Sequence, residues 1–377
     1  MRLEALRRQF PHTRHTLYLN HAATAPLSRR VVAAIRRYLQ ERHESNVENF
    51  RAFQPIVESA RARVASLLGT SIGRVEFAPN TSYALNVLAG GLDWRPGDRV
   101  AVPSCEFPAN VYPFLNLRPL GVEVDFIPHH SGAVSLEAVE QSIRPQTRLL
   151  TISWVQYLSG YRADLASLGS LCRDRGVLFC VDAIQGLGAL QLDVEKAGID
   201  FLASGAHKWM MATQGIGFLY LTEALQERIA PPAGWLHGPV DWDRLDEYEL
   251  SFHPDASRFR LGTLNHVGIA ALDAALELYE EADPSWCERR VLRHARHLAD
   301  GLAEIGLQLY GADDSERGSG IVTVEYDDVA GLHAYLGEHG VVCAARQKKL
   351  RFSPTYYNSA DELNRALEIV ESYVGEA

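Results

Sequence analysis

Cysteine is scarce in this chain. There are five in 377 residues (Cys105, Cys172, Cys180, Cys287, Cys343), an odd number, widely scattered, with no C-x-x-C pair. That excludes a disulfide framework and a zinc ribbon. No stretch approaches the roughly 18 apolar residues of a membrane span. The first fifteen residues are Arg-rich and helical in character and lack the apolar run of a secretion signal, so a soluble cytoplasmic protein is expected. Positive charge is in deficit as well, with 37 Lys and Arg against 47 Asp and Glu and a formal charge of −10. Nucleic-acid binders need clustered cations to neutralise phosphates; the expected partner is therefore a small molecule, not nucleic acid or membrane. Repeats and low-complexity tracts are missing too. No G-x-G-x-x-G opens a strand–turn–helix unit, and Gly186-Leu-Gly188 is too short to serve as one, which leaves a nicotinamide dehydrogenase without support.

What is present is an ordinary globular composition, 47% hydrophobic and 22% charged, at a length that exceeds one core. Short apolar runs at 99–103, 122–128, 148–154, 177–181, 201–204 and 217–221 read as strands. Helix-like stretches at 82–91, 110–117, 136–143, 165–175 and 194–197 lie between them. Continuous apolar runs alternating with helices predict an α/β fold with a mostly parallel central sheet between helices. After Pro231 comes an irregular Trp- and Asp-rich stretch, then two long helices (266–281, 284–305). A smaller α+β set follows, with strands at 320–325, 341–344 and 350–353 and helices at 329–339 and 360–374. The expected organisation is a large domain, 18–255, and a small C-terminal domain, 256–377, with residues 1–17 packing on the latter.

In open α/β sheets, ligands bind beyond the carboxyl ends of the strands. Two successive apolar strands end there in Asp182 and in Gly205-Ala206-His207-Lys208. A Lys leaving a buried strand has a desolvated amine, nucleophilic toward a carbonyl. Alone, Lys208 reads more readily as a side chain snorkelling to solvent, and Asp182 as a helix cap. Together they suit pyridoxal 5'-phosphate, which needs a Schiff-base lysine and an acid at its pyridine nitrogen. Asn80-Thr81-Ser82 before a helix offers hydroxyls and free N–H groups for a phosphate, and Thr263 offers another hydroxyl.

Five motifs stand in order along nearly the whole chain: Tyr18-Leu-Asn-His-Ala-Ala-Thr-Ala-Pro-Leu27, Asp182-Ala-Ile-Gln185, His207-Lys208-Trp209, Gly215-Ile-Gly217-Phe-Leu-Tyr220 and Arg351-Phe-Ser-Pro-Thr-Tyr-Tyr-Asn358. Together they resemble the class V aminotransferase and cysteine desulfurase superfamily of fold-type I pyridoxal-phosphate enzymes. The resemblance implies that Lys208 binds the cofactor and shuttles the substrate α-proton, Asp182 pairs with the pyridine nitrogen, and Gln185 bonds the phenolate oxygen. Thr81, Ser82 and His207 would hold the phosphate, with Thr263 arriving from the neighbouring subunit of a homodimer whose active sites lie near the interface. Arg351 would take the substrate α-carboxylate through its guanidinium fork, and Asn20, His21 and Tyr157 would line the substrate side.

The sequence also departs from that pattern. Phe107 stands where desulfurases stack a His on the cofactor. Gly205 stands where the family often has a phosphate-binding Ser, and Gln156 or Tyr157 replaces an Asn. The loop that carries the sulfur-accepting Cys in desulfurases is reduced here to Ala344-Ala-Arg346-Gln-Lys348-Lys349, with Cys343 inside an apolar strand beside it. The expected function is a class V aminotransferase-like enzyme acting on an L-amino acid. The alternatives are a C–S lyase, a desulfurase-like or epimerase activity with persulfide chemistry disfavoured, or a non-catalytic relative.

Overall fold

The computed structural model describes residues 3–311 and 318–376. Its first strand, β1 (Leu17–Tyr18), is followed by two long helices, Arg29–Glu44 and Phe50–Leu68, that the pattern of apolar runs had not separated. Ser28 caps the first by accepting a bond from the Val31 N–H at 3.2 Å, and Gly69, at φ +69°, ends the second in a left-handed turn. Both pack on helix His266–Ala282, and the apolar faces of all three share one core with the central sheet.

That sheet has seven strands: β2 (Val75–Ala78), β3 (Arg99–Pro103), β4 (Glu123–Ile127), β5 (Thr147–Ser153), β6 (Leu178–Asp182), β7 (Phe201–Gly205) and β8 (Gly217–Leu221). The order is β2-β8-β7-β6-β5-β3-β4. β8 pairs antiparallel with both neighbours and the remaining pairs are parallel, so the sheet is mostly parallel, as expected. β6, β7 and β8 are buried at every position, which is why they read as unbroken apolar runs. β2, Val-Glu-Phe-Ala, carries a buried Glu76 that hid it. That carboxylate is matched by Arg260 at 2.9 Å.

Some expectations need correction. The helix expected at 110–117 is a 3-10 turn, Pro108–Asn110, and a single helical turn, Tyr112–Leu115; Pro113 supplies no N–H and forces the chain to restart. Residues 194–197 form only bonded turns closed by Gly198 at φ +66°. The apolar run 341–344 divides between two sheets. Five strands complete the set: β9 (Gln308–Leu309), β10 (Val322–Glu325), β11 (Val341–Val342), β12 (Ala344–Arg346) and β13 (Lys349–Phe352). β11 pairs parallel with β1, whereas β12 joins an antiparallel sheet of order β12-β13-β10-β9.

This smaller sheet has its own core, to which Leu17 and Leu19 contribute alongside Leu298, Leu332, Leu350 and Leu363. Near the N-terminus, Arg7 forms a two-bond ion pair with Glu362 at 2.7 and 2.8 Å. Phe10 stacks on Tyr357 with ring centroids 4.1 Å apart. Among the described residues no helix is long and apolar enough to cross a membrane.

Candidate active site

Because β2, β3, β5, β6 and β7 all run in one direction, their carboxyl ends meet at one edge of the sheet. There they enclose a cavity of about 280 Å³, just under the usual range for small-molecule sites. It is lined by Thr81 and Ser82 after β2, Phe107 after β3, Ser153 and Tyr157 from the end of β5, Asp182, Ile184 and Gln185 from β6, and His207 and Lys208 from β7. The small sheet adds Arg346 and Arg351, and the segment after β1 adds Ala22 and Ala23.

Asp182 ends β6 almost fully buried, 2% exposed. Burial pushes its carboxyl up to about 6, against the opposing pull of the Ile184 N–H, bonded at 3.0 Å, and of Lys208. Lys208 has the reciprocal perturbation. Burial lowers its amine to about 8; Asp182 resists this, while Arg351 and Arg346 add to it. A substantial fraction of Lys208 is thus neutral near pH 8, as a nucleophilic amine requires. Its Nζ lies 5.8 Å from the centroid of the Phe107 ring, a side chain that carries no proton to relay.

Gln185 is locked from both sides. Its Nε2 donates to the Ala22 carbonyl at 3.0 Å, and its Oε1 accepts from Trp209 Nε1 at 3.0 Å; one amide hydrogen remains available. Thr81 opens helix Thr81–Gly91, capped by Asn80, and its hydroxyl accepts a bond from the Gly205 N–H at 2.9 Å. That bond ties the helix N-terminus to the end of β7, next to His207, whose imidazolium form is disfavoured by burial and by Lys208.

Arg351 is 1% exposed. Its Nη1 donates to the Tyr157 carbonyl at 2.5 Å, while Nε and Nη2 are buried without a partner. Burial lowers its pKa to about 10, with Arg346 adding to the effect. A buried guanidinium with two idle donors is costly unless an anion completes it, and a carboxylate fits that fork.

Three expected residues lie elsewhere. His21 is wholly buried, with Nδ1 3.0 Å from the Ser353 carbonyl and Nε2 2.6 Å from the Tyr357 hydroxyl, and burial drives it down to about 3. Both ring nitrogens are occupied, so it fastens the N-terminal segment to the small sheet and does not line the cavity. Asn20 forms a backbone bridge with Ser353 and also stays outside the lining; the motif reaches the cavity instead through Ala22 and Ala23. Thr263 is exposed and outside this chain's cavity.

Two groups were missed from sequence. Ser153 ends β5 beside Asp182, and the strand-end rule that found Asp182 points to it equally. Glu106 accepts bonds from the Ser153 N–H, at 2.6 Å, and from its hydroxyl. Burial raises Glu106 to about 7, and Asp182 adds to that.

A doubly wound sheet whose adjacent strand ends present a buried carboxyl and a desolvated lysine, facing an unsatisfied arginine, is the site of a pyridoxal-phosphate-dependent enzyme. The profile of the aminotransferase class-V family matches residues 17–365. A probable cysteine desulfurase of Methanothermobacter thermautotrophicus is 30% identical over the whole chain and 99% of its own length. An uncharacterized aminotransferase, YcbU, of Bacillus subtilis is 27% identical over 97% of this chain and 96% of its own. Among solved structures, the apo cysteine desulfurase of Thermococcus onnurineus NA1 superposes with a TM-score of 0.91 at 26% identity, covering 100% of this chain and 99% of that one. The chain belongs to the aminotransferase class-V family, and its cofactor is pyridoxal 5'-phosphate.

Proposed function

We propose that this enzyme removes the α-proton of an L-amino acid and cleaves a C–S bond at the β-carbon, releasing the sulfur product without passing it through a thiol of its own. The observation that carries this reading is the placement of the cysteines. All five are described, and none lines the cavity. Cys343 is 5% exposed within the small-sheet core, and burial pushes its thiol up to about 12. Such a thiol is neither ionised nor accessible, the two things sulfur acceptance needs. The curated relative named a probable cysteine desulfurase supports C–S chemistry over transfer of the amino group. Transamination, the family's namesake reaction, is the second reading, favoured by the relative named an aminotransferase.

In this reading bound pyridoxal phosphate would supply an electron sink for the charge left at the substrate α-carbon. Arg351 would hold the α-carboxylate with Nε and Nη2, fixing the α-carbon before Lys208, which takes the proton. Asp182 would stay ionised against the ring nitrogen, and Gln185 would give its free amide hydrogen to the ring oxygen. Thr81, Ser82, His207 and the helix N-terminus would cradle the phosphate. Phe107 and Tyr157, whose rings meet edge to face at 5.3 Å, would cover the site and exclude water. We further propose that the enzyme works as a homodimer in which Thr263 reaches the partner's phosphate site.

The test is a product analysis. The enzyme is incubated with L-cysteine and S-substituted L-cysteines, with and without a keto-acid acceptor. Pyruvate and ammonia formed at equal rates without acceptor are expected. Alanine together with a persulfide on Cys343 would overturn the reading, and strictly acceptor-dependent turnover would replace it with transamination.

A further inference from the structure

Arg346 is a cation with no described ion-pair partner, held at the rim of the cavity. The antiparallel register of β12 and β13 pairs Ala344 with Arg351 and Arg346 with Lys349. Cross-strand partners share a face and alternate residues return to it, so Arg346, Lys349 and Arg351 project from the same side of the hairpin. Lys349 is engaged, 3.1 Å from Glu325 and over the Tyr310 ring at 4.4 Å. Arg346 is exposed, lines the cavity beside Arg351 and forms no ion pair among the described residues.

The hairpin is built to keep it there. Gln347 and Lys348 close the turn at φ +49° and +58°, the left-handed conformation that two-residue hairpins require and that Asn-Gly normally supplies. Neither residue is suited to it. Gln347 is instead anchored by donating from Nε2 to the Tyr157 hydroxyl at 2.7 Å, on the same residue whose carbonyl receives Arg351. Strain held at the edge of a site indicates selection for position. Among the described residues Asp182 is the only carboxylate lining the cavity, against Lys208, Arg351 and Arg346, and it is committed to the opposite, β6 side.

We propose that Arg346 is a second anion anchor, selecting an L-amino acid whose side chain ends in an acidic group. The inference rests on the reading that Arg351 takes the α-carboxylate. It deepens that reading by naming the substrate class. One guanidinium holds the α-carboxylate, and the other, at the mouth, meets the far end of the side chain.

Isothermal titration of the holoenzyme with non-reacting acids tests this. Succinate and butyrate have the same chain length and differ in the second carboxylate. Succinate is expected to bind at least about 10-fold more tightly, in line with one charge-assisted bond. Arg346→Leu should weaken succinate about 10- to 100-fold, leave butyrate within about 2-fold and retain the cofactor absorbance; Arg346→Lys should recover part of the loss. Equal binding of the two acids, or an equal loss of both in Arg346→Leu, would overturn the proposal, the latter making Arg346 a second clamp on the α-carboxylate. Loss of cofactor from Arg346→Leu would overturn it in favour of a phosphate contact. If butyrate binding is unaffected by Arg351→Leu, the reading of Arg351 falls and takes the inference with it; if Arg351→Leu abolishes butyrate binding and succinate shows no advantage, only the inference falls.

Discussion

Asp182 shows most directly how function is set against stability at single residues. Burial raises its pKa to about 6, so the folded chain favours the protonated form. Ionising it costs nothing below about pH 4, where the carboxyl is protonated folded or unfolded, and costs the full amount above about pH 6. In the apoprotein that cost is up to about 3 kcal/mol near pH 8. Asp182→Asn should therefore raise the thermal midpoint of the apoprotein at pH 8 by a few degrees, leave it unchanged near pH 4, and bind cofactor far more weakly. Differential scanning calorimetry at the two pH values checks this, and an apoprotein destabilised at pH 8 would contradict it. Lys208 and Arg351 carry the same signature, their charged forms disfavoured by burial. Three groups perturbed by desolvation around one cavity mark it as functional. His21 is perturbed as strongly, yet it is satisfied by Ser353 and Tyr357. Perturbation alone does not identify a site residue; Arg351 differs from His21 in lining the cavity with Nε and Nη2 unfilled.

Among the elements, the turn after β6 decides how accurately the site is held. Gln185 must present its amide while Trp209 and Ala22 hold it. The next residue, Gly186, lies against the Trp154 ring so closely that a Cβ would stand 2.1 Å from Cε3. Gly186→Ala must displace that indole or the turn. Overpacking of this kind costs about 1–3 kcal/mol, and the displacement falls on Gln185. The expected outcome is a lower urea midpoint with an unchanged m-value, together with weakened cofactor binding. Unchanged cofactor affinity would show that Gln185 is positioned by Trp209 alone. The strands themselves were legible because burial on both faces leaves no polar positions in them. The helices Arg29–Glu44 and Phe50–Leu68 were not, because each buries one face under a surface interrupted by Arg and other polar residues.

For the whole molecule, the stretch between Arg228 and Ala256 contains no helix or strand and leaves Trp235, Trp242, Leu245, Tyr248 and Leu250 exposed, Tyr248 by 94%. Apolar groups gathered at a surface mark an interface. Thr263, a few residues beyond, does not reach its own cavity. A second copy would cover the first feature and give the second a use. Sedimentation velocity should find a species of two chains. Tyr248→Glu combined with Leu250→Glu should give a single chain with weaker cofactor binding. A monomeric wild type that retains full cofactor affinity would refute the dimer.

The sequence by itself determined the parallel sheet and the cofactor class, and marked Lys208, Asp182 and Arg351 as candidates for the site. Each of these depends on local facts: an apolar run, the residue that ends it, and short motifs whose spacing is set by one turn of chain. Tertiary structure decided the rest. It seated His21 and Asn20 in the packing between the N-terminal segment and the small sheet, brought Ser153 and Glu106 beside Asp182, buried Cys343, and swung Arg346 over the cavity through a strained hairpin. Those outcomes depend on which surfaces meet between segments distant in sequence, Ser153 with Glu106 as much as His21 with Ser353, where burial and the supply of partners, rather than residue type, fix what a side chain can do.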